Sequence, residues 1–241
     1  MSGSEARRVL VTGGASGIGL ATAELLAERG ARVARLDRQE AATDAATVAV
    51  AADVRDEASV RDAVETAERE LGGPIEVLVN AAGVYRIAPL VDLAVADWDD
   101  VLATNLRGTM LTSRIVVARS SGGGAIVNLA STAAFVGDAA EPGAHYNASK
   151  AAVVALTKQM AIEWAPRGFR VNAVAPGVID TPMLRMMDDP SSGEAYLRDR
   201  VPLGRLGRAS EVAEAIAFLA SDRASYVTGT TLIVDGGVTA L

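Results

Sequence analysis

The chain has 241 residues, half of them hydrophobic, so it can bury a sizeable core in one large α/β domain. Its formal net charge of -7 argues against binding to nucleic acid or to an anionic membrane surface. Cysteine is absent and His145 is the one histidine, which excludes a disulfide framework and a metal site rich in cysteine or histidine. The N-terminus lacks a signal peptide's apolar core, and no segment approaches the roughly 18 apolar residues of a membrane span, so we expect a cytoplasmic protein.

The first predicted element is a buried strand over residues 7–12, followed by a glycine-rich turn over residues 13–19 and a helix over residues 20–29. A strand, a glycine turn and a helix in this order are typical of the start of a dinucleotide-binding fold. Glycines let the backbone approach the pyrophosphate, and the helix N-terminus supplies N–H groups and a positive dipole. The spacing is Gly-x-x-x-Gly-x-Gly rather than the commoner Gly-x-Gly-x-x-Gly.

A second strand, over residues 31–36, ends at Asp37. An acid at this position can bind the ribose hydroxyls of an adenosine. It also repels a 2′-phosphate, by on the order of 4 kcal/mol at about 4 Å and an effective dielectric near 20. The neighbouring Arg38 offsets part of this repulsion. We therefore predict NAD rather than NADP as the cofactor.

Strands and helices alternate to the end of the chain. Further strands are predicted at residues 48–52, 75–79, 125–129, 170–175 and 230–234, and further helices at 57–71, 97–119, 144–164 and 210–220, the last capped by Ser210. Residues 178–205 are predicted to be irregular and polar. This alternation, with nearly continuous apolar strands, predicts a seven-stranded parallel sheet covered by helices on both faces, in one domain over residues 1–241.

Right-handed crossovers place the carboxyl end of every strand on one edge of such a sheet, where ligands bind. The residues that follow predicted strand ends are Gly13, Asp37, Asp53, Asn80, Ser131 and Pro176. We therefore expect one ligand site at this edge.

Tyr146 and Lys150 are four residues apart in a predicted helix, so they share one of its faces. An ammonium about 5 Å from a phenol favours the phenolate by on the order of 3 kcal/mol, or about two pK units. A second positive charge, such as an oxidised nicotinamide, would bring the phenol closer to its working range. The pair suits a general acid/base acting on an alcohol, although a core tyrosine beside a solvated lysine gives the same pattern.

Taken together, the motifs resemble the short-chain dehydrogenase/reductase family over nearly the whole chain. In chain order they are Thr12-Gly13-Gly14-Ala15-Ser16-Gly17-Ile18-Gly19, Asp53-Val54, Asn80-Ala81-Ala82-Gly83, Asn105, Ser131, Tyr146-x-x-x-Lys150, Pro176-Gly177 with Thr181, and Val234-Asp235-Gly236-Gly237. The resemblance implies a Rossmann-type doubly wound fold, an NAD(P)-dependent oxidoreductase and a homo-oligomer, either dimer or tetramer.

The resemblance also implies residue roles. Tyr146 would be the acid/base, Lys150 would lower its pKa and bind the nicotinamide ribose, and Ser131 would hold the substrate oxygen. Asn105 would support a water in a proton relay through Lys150. The implied cofactor contacts are Gly13, Ser16, Gly17, Ile18, Gly19, Asp37, Arg38, Asp53, Val54, Asn80, Ala81, Gly83, Tyr146, Lys150, Pro176, Gly177, Ile179 and Thr181, and no metal is implied.

Several features depart from the family pattern. Ala81 stands where members often carry a second asparagine. Ser131 lies fifteen positions before Tyr146, about two more than the pattern, which makes Thr132 a rival for the serine role. Ser16 stands where NADP-dependent members often carry a basic residue, which again favours NAD.

The hypothesis from the sequence is reversible hydride transfer between NAD(H) and a secondary alcohol or ketone. A 3-oxoacyl thioester, a sugar or polyol, and a cyclic alcohol all remain open as substrates. The alternative is a dinucleotide-binding regulator without catalysis. Other open interpretations are a substrate contact or no role for His145, and an apolar lid or core packing for Met183, Met186 and Met187. Arg86 and Arg185 are predicted to be solvated, and contact with an anionic substrate is the alternative for both.

Overall fold

The structure, a computed structural model, describes residues 7–39, 47–139, 141–184, 195 and 197–240. The strands are β1 (Arg8–Thr12), β2 (Arg32–Asp37), β3 (Thr47–Ala51), β4 (Val77–Asn80), β5 (Gly124–Leu129), β6 (Phe169–Pro176), β7 (Ile179–Asp180), β8 (Gly207–Arg208) and β9 (Thr231–Val234). The helices are α1 (Gly17–Glu28), α2 (Glu57–Leu71), α3 (Val95–Leu102), α4 (Gly108–Arg119), α5 (Ala144–Trp164) and α6 (Ala209–Ala220). No helix within these ranges is long and apolar enough to cross a membrane.

Within the described ranges, seven parallel strands form one sheet in the order β3-β2-β1-β4-β5-β6-β9. The chain winds outward from β1 in one direction through β2 and β3, and in the other through β4, β5, β6 and β9. The order reverses between β1 and β4, where Thr12 is paired with Leu36 on one side and with Asn80 on the other. This confirms the predicted fold class, and a reversal of this kind opens a crevice at the carboxyl ends of the strands.

Both faces of the sheet are buried, which explains the continuous apolar strands. In β1, Leu10 packs into the cluster on the side of α2, whereas Val9 and Val11 pack into the cluster on the side of α1 and α6. All three are 1% exposed or less. Burial of such a side chain stabilises the fold by roughly 1.5–3 kcal/mol. The helices packed on both faces of the sheet therefore fix the position of the strand ends.

Three helices begin elsewhere than predicted, and one of them is α3, which begins at Val95 rather than at residue 97. Helix α1 begins at Gly17 rather than residue 20, because the glycine turn itself winds into the helix and Leu20 N–H already donates to the Ser16 carbonyl at 3.1 Å. Ser210 does not cap α6. The N-cap is Arg208, whose backbone N–H donates to the Glu211 carboxylate at 2.8 Å.

The segment predicted to be irregular over residues 178–205 is partly ordered. Strand β7 pairs with β8 in parallel, Ile179 opposite Gly207 and Asp180 opposite Arg208, and residues 197–200 are helical. Strands of two residues are too short to show an alternating pattern, so periodicity cannot predict this pair.

Candidate active site

A cavity of about 400 Å³ opens at the carboxyl edge of the sheet. Almost all of the residues predicted from the sequence line it, namely Gly13, Ser16, Gly17, Ile18, Gly19, Asp37, Arg38, Asp53, Val54, Ala81, Gly83, Ser131, Tyr146, Lys150, Pro176, Gly177, Ile179 and Thr181. Asn80 and Asn105 lie behind its wall. The topology therefore gathers at one site residues that lie up to 168 positions apart, from Gly13 to Thr181.

The turn after β1 requires glycine for close backbone contacts. Gly13 has a φ of +66°, and a Cβ there would lie 2.7 Å from the Ala82 backbone nitrogen. A Cβ on Gly19 would lie 2.1 Å from the Gly13 carbonyl oxygen. These contacts place the first turn of α1 against the loop after β4, so the N-terminus of α1 faces the cavity, where it suits an anionic phosphate.

Asp37 ends β2 and forms the acidic wall of the cavity. Its carboxylate accepts hydrogen bonds from the backbone N–H of Ala15 at 3.2 Å and of Gln39 at 3.1 Å. These bonds fix the carboxylate beside the glycine turn, at the end of the second strand, where an acid can bind the ribose hydroxyls of an adenosine. The side chains at this end therefore fit a dinucleotide.

Asp53 is held by a residue that the sequence analysis did not single out. The Arg55 guanidinium bonds both Asp53 oxygens, the nearest at 2.6 Å, and reaches Asp100 of α3 at 2.7 Å. The hydrogen bond from Arg55 holds the pKa of Asp53 below its usual range, although partial burial opposes this. Asp53 is therefore an anion with its oxygens engaged, and Asp53-Val54 contributes a rigid wall.

The Asn80 side chain points into the core. Its Nδ2 donates to Ser113 Oγ at 2.9 Å and to Asn128 Oδ1 at 2.8 Å, and Asn128 in turn donates to Thr157 Oγ1 at 2.9 Å. This buried polar network ties β4 and β5 to α4 and α5. Asn80 thus orders the strand ends below the cavity, while Ala81 and Gly83 of the same motif line it.

Tyr146 and Lys150 lie on adjacent turns of α5, as predicted. Lys150 Nζ is 5.6 Å from the centroid of the Tyr146 ring and donates to the Leu129 carbonyl at 2.7 Å. The amine is anchored to the last residue of β5, so its position relative to the phenol is fixed by the sheet. Helix and strand together place a phenol and an amine side by side in the cavity.

Burial dominates the acid–base properties of this pair. Burial raises the pKa of Tyr146, and a hydrogen bond with Ser131 partly opposes that rise. Burial also lowers the pKa of Lys150 to about 8. The lowering of the Tyr146 pKa predicted from Lys150 alone is thus outweighed by desolvation, and a further positive charge is needed to make the phenol a base near neutral pH.

Ser131 follows β5 and caps a short 3₁₀ turn, where its Oγ accepts from the Ala133 N–H at 3.2 Å. An interaction with the Ser131 side chain partly offsets the rise in the pKa of Tyr146, which indicates that the two hydroxyls are neighbours in the cavity. Thr132, the rival for its role, also lines the cavity. The longer spacing to Tyr146 is taken up by the 3₁₀ turn and the loop before α5.

Asn105 lies in a π turn, Ala103–Arg107, between α3 and α4, so the long helix predicted over residues 97–119 is one helical run with a bulge. Its Oδ1 accepts from Val84 N–H at 2.8 Å, and its Nδ2 donates to the Val84 carbonyl and to Ser149 Oγ, both at 3.0 Å. Ser149 Oγ donates to the Tyr146 carbonyl at 2.7 Å. Asn105 therefore connects the loop after β4 to the first turn of α5.

The sequence analysis missed a second tyrosine. The Tyr85 ring contacts Tyr146 edge to face, with centroids 4.8 Å apart and planes at 75°, and its hydroxyl donates to Glu141 at 2.8 Å. Both Tyr85 and Glu141 line the cavity. The signal for Tyr85 was its place just after the motif that ends at Gly83, on the ligand-binding edge of the sheet.

His145 lies in the first turn of α5 rather than in a loop, fully buried and not among the cavity-lining residues, which argues against a substrate contact. Burial lowers its pKa, so it is neutral near pH 7. Arg86 is paired with Asp100 at 2.8 Å rather than merely solvated. Met183 lines the cavity and is 43% exposed, whereas Arg185, Met186 and Met187 lie outside the described residues.

Comparison with known proteins gives matches over nearly the full chain. The family model described as enoyl-(acyl carrier protein) reductase matches residues 13–239. The cis-4-hydroxycyclohexanecarboxylate dehydrogenase of Sinomonas cyclohexanicum is 46% identical, covering 98% of this chain and 97% of that protein. The galactitol 2-dehydrogenase (L-tagatose-forming) of Cereibacter sphaeroides is 45% identical, covering 95% and 93%.

The chain belongs to the short-chain dehydrogenase/reductase family. Its fold superimposes on that of a gluconate 5-dehydrogenase from Burkholderia cenocepacia, solved in complex with NADP and tartrate, with a TM-score of 0.91, 38% identity and coverage of 99% and 97%. This short-chain dehydrogenase/reductase is therefore an NAD(P)-dependent oxidoreductase that acts on a secondary alcohol or ketone.

Proposed function

We propose that Tyr146 is the acid/base of this enzyme and that Ser131, Lys150 and Asn105 serve it. The observation that carries the proposal is that Tyr146, Ser131 and Lys150 line one cavity with the glycine turn and Asp37, with the Lys150 amine 5.6 Å from the Tyr146 ring. A nicotinamide dinucleotide, when bound, supplies or accepts the hydride.

The chain's own groups then handle the proton. In alcohol oxidation Ser131 Oγ holds the substrate oxygen, and the Tyr146 phenolate accepts its proton; in ketone reduction the phenol donates it. The Lys150 ammonium stabilises the phenolate and, at its place beside the cavity, binds the nicotinamide ribose. A Cβ on Gly83 would lie 3.3 Å from Asn105 Oδ1 and 3.7 Å from Lys150 Nζ, so glycine leaves room between them for the relay water.

NAD is the proposed cofactor. Asp37 offers a fixed carboxylate where a 2′-phosphate would otherwise sit, and Ser16 supplies no positive charge. Arg38 lines the same end of the cavity and, together with Arg55, lowers the pKa of Asp53. The positive charge of Arg38 is therefore partly balanced by the Asp53 carboxylate. Because the related gluconate 5-dehydrogenase was solved with NADP, the preference of this enzyme for NAD over NADP has to be measured directly.

The proposed substrates are cyclic alcohols and polyols, because the relatives named above act on such compounds. A 3-oxoacyl thioester is the second candidate, favoured by the description of the matching family model. A regulator that binds dinucleotides without catalysis would not need a phenol in one cavity with Ser131 and a buried lysine.

We also propose a homo-oligomer, a dimer or a tetramer, in the cytoplasm. The support is an apolar surface on strand β9, the outermost strand of the described sheet, and on its neighbour α6. Its exposed side chains are Phe218, Leu232 and Ile233.

The test of the function is a titration with NADH and NADPH separately, followed by a panel of secondary alcohols with the preferred oxidised cofactor. We expect tighter binding of NADH, and turnover of at least one cyclic alcohol or polyol. Asp37→Ser should shift the NADH/NADPH preference toward NADPH by at least about tenfold, because it removes a charge near the 2′ position. Binding of NADH with no turnover across the panel would favour the regulator instead.

A further inference from the structure

The substrate end of the cavity carries acidic side chains. Glu141 and Asp138 both line it, next to Tyr85 and Val136. The lining cations in the described part of the chain are Arg38, at the adenosine end, and Lys150, whose amine is buried against the Leu129 carbonyl. A substrate entering this end therefore meets carboxylates.

Glu141 is held in a fixed orientation. The Tyr85 hydroxyl donates to Glu141 Oε2 at 2.8 Å, while the Tyr85 ring packs edge to face against Tyr146. Burial and the bond to Glu141 raise the pKa of Tyr85, so its hydroxyl stays a donor throughout the working pH range. The acid/base tyrosine, Tyr85 and Glu141 thus form one rigid row along the cavity wall.

In this row the Glu141 carboxylate is a hydrogen-bond acceptor, and the Tyr85 side chain separates it from Tyr146, the proposed acid/base. Tyr85 engages Glu141 Oε2, and a carboxylate has enough lone pairs to accept further bonds from substrate hydroxyls. A substrate carboxylate would instead face a like charge in a partly desolvated cavity, where repulsion is stronger than in water.

Resting on the proposed function, we infer that the Tyr85–Glu141 pair determines specificity and selects a neutral, hydroxyl-bearing substrate, a polyol or hydroxycycloalkane, over an anionic one. The pair accepts a second hydroxyl of the substrate through Glu141 while Ser131 and Tyr146 hold the first. The Sinomonas cyclohexanicum dehydrogenase named above takes a carboxylate substrate. We therefore expect the present chain to differ from that relative in substrate specificity.

The experiment compares pairs of substrates in which one terminal group is a carboxylate in one member and an uncharged group in the other. Values of kcat/KM are measured for cis-4-hydroxycyclohexanecarboxylate against its carboxamide, and for galactonate against galactitol. We expect the wild type to prefer the neutral member of each pair by at least about tenfold, and Glu141→Gln to reduce this preference by about tenfold, since it removes the charge and keeps the shape.

Two variants serve as controls, and a third is a second test of the inference. Glu163→Gln makes the same charge change at an exposed site on α5 and should leave the preference unchanged. Tyr85→Phe removes the hydrogen bond that orients Glu141 and keeps the carboxylate, so it should reduce the preference for neutral substrates less than Glu141→Gln does. Asp138→Asn removes a second lining charge and should reduce the preference even if Glu141→Gln fails to fold.

The possible failures are distinguishable. A wild type that uses the anionic members as well as the neutral ones, or a preference that Glu141→Gln and Asp138→Asn leave unchanged, overturns the inference and leaves the proposed function intact. Inactivity on both pairs with turnover elsewhere in the alcohol panel overturns the inferred substrate class alone. Inactivity across the whole panel overturns the proposed function as well.

Discussion

Lys150 keeps an amine in a buried position, 5% exposed, where burial lowers its pKa from 10.5 to about 8. The unfolded chain therefore binds a proton at Lys150 more readily than the folded chain between these two values. The resulting penalty on stability is present in full below pH 8, and it fades as the pH rises from 8 to 10.5. It amounts to about 3 kcal/mol at pH 7.

Replacing this lysine should stabilise the fold while abolishing its role in catalysis. We expect Lys150→Met to raise the free energy of unfolding relative to wild type more at pH 7 than at pH 10, as measured by urea denaturation at both values. Lys158→Met, at an exposed position on the same helix, should show no such pH dependence. An equal effect of Lys150→Met at the two pH values would contradict the burial argument.

Individual side chains differ in how far the sequence could predict them. Tyr146 and Lys150 were predictable because helical spacing fixes their relation. The placement of Ser131 in the same cavity as Tyr146, by contrast, depends on the loop between β5 and α5, and loop shape is not encoded in periodicity. Tyr85 and Glu141 are 56 positions apart, and only the tertiary fold brings them together.

At the scale of elements, the π turn at Ala103–Arg107 is the local departure that positions Asn105. Such turns occur within α-helices, often at functional sites, and leave the hydrophobic period on both sides almost unchanged. For that reason the sequence predicted one continuous helix over residues 97–119 and did not indicate the π turn within it. The turn exists where the Asn105 side chain bonds both backbone groups of Val84 and the Ser149 hydroxyl.

Removing this side chain should affect stability and turnover together. Asn105→Ala leaves the N–H and C=O of Val84 without their partner, at about 1–3 kcal/mol per group that stays buried. We expect a loss of about 2–4 kcal/mol in the free energy of unfolding, together with a lower kcat, measured by urea denaturation and steady-state kinetics.

Thr109→Val is the matched control, since it removes only the side-chain bond from Thr109 Oγ1 to the Asn105 carbonyl. It should cost less than about 1 kcal/mol and preserve turnover. If Asn105→Ala were as mild as Thr109→Val, Asn105 would not be the residue that joins the loop after β4 to α5.

At the scale of the whole molecule, the sequence predicted the seven-stranded sheet and its ligand-binding edge because burial on both faces makes every strand apolar. Val9, Leu10 and Val11 show this most directly, since successive residues enter opposite cores. The pairing of β7 with β8 was not predictable. It depends on how residues 178–184 return to the sheet edge, which no local pattern specifies.

The outer strand β9 leads to a prediction about assembly. Leu232 and Ile233 are 36% and 40% exposed there, an apolar strand edge of the kind that proteins usually cover. We expect light scattering to give the mass of a dimer or tetramer, and Ile233→Lys to shift it toward a smaller species. Leu90→Lys, at an exposed residue elsewhere, should not. A monomeric wild type would contradict the proposed oligomer.

The central claim is that the Tyr146 phenol, placed by α5 beside Lys150 and Ser131, moves the proton while hydride moves to or from carbon. Its most direct test is Tyr146→Phe, with turnover of the best alcohol and binding of NADH measured on the same sample, and with Tyr226→Phe as the control at an exposed phenol. We predict a fall in kcat of about 10²–10⁴-fold with NADH affinity nearly unchanged. Turnover by Tyr146→Phe close to that of wild type would contradict the account.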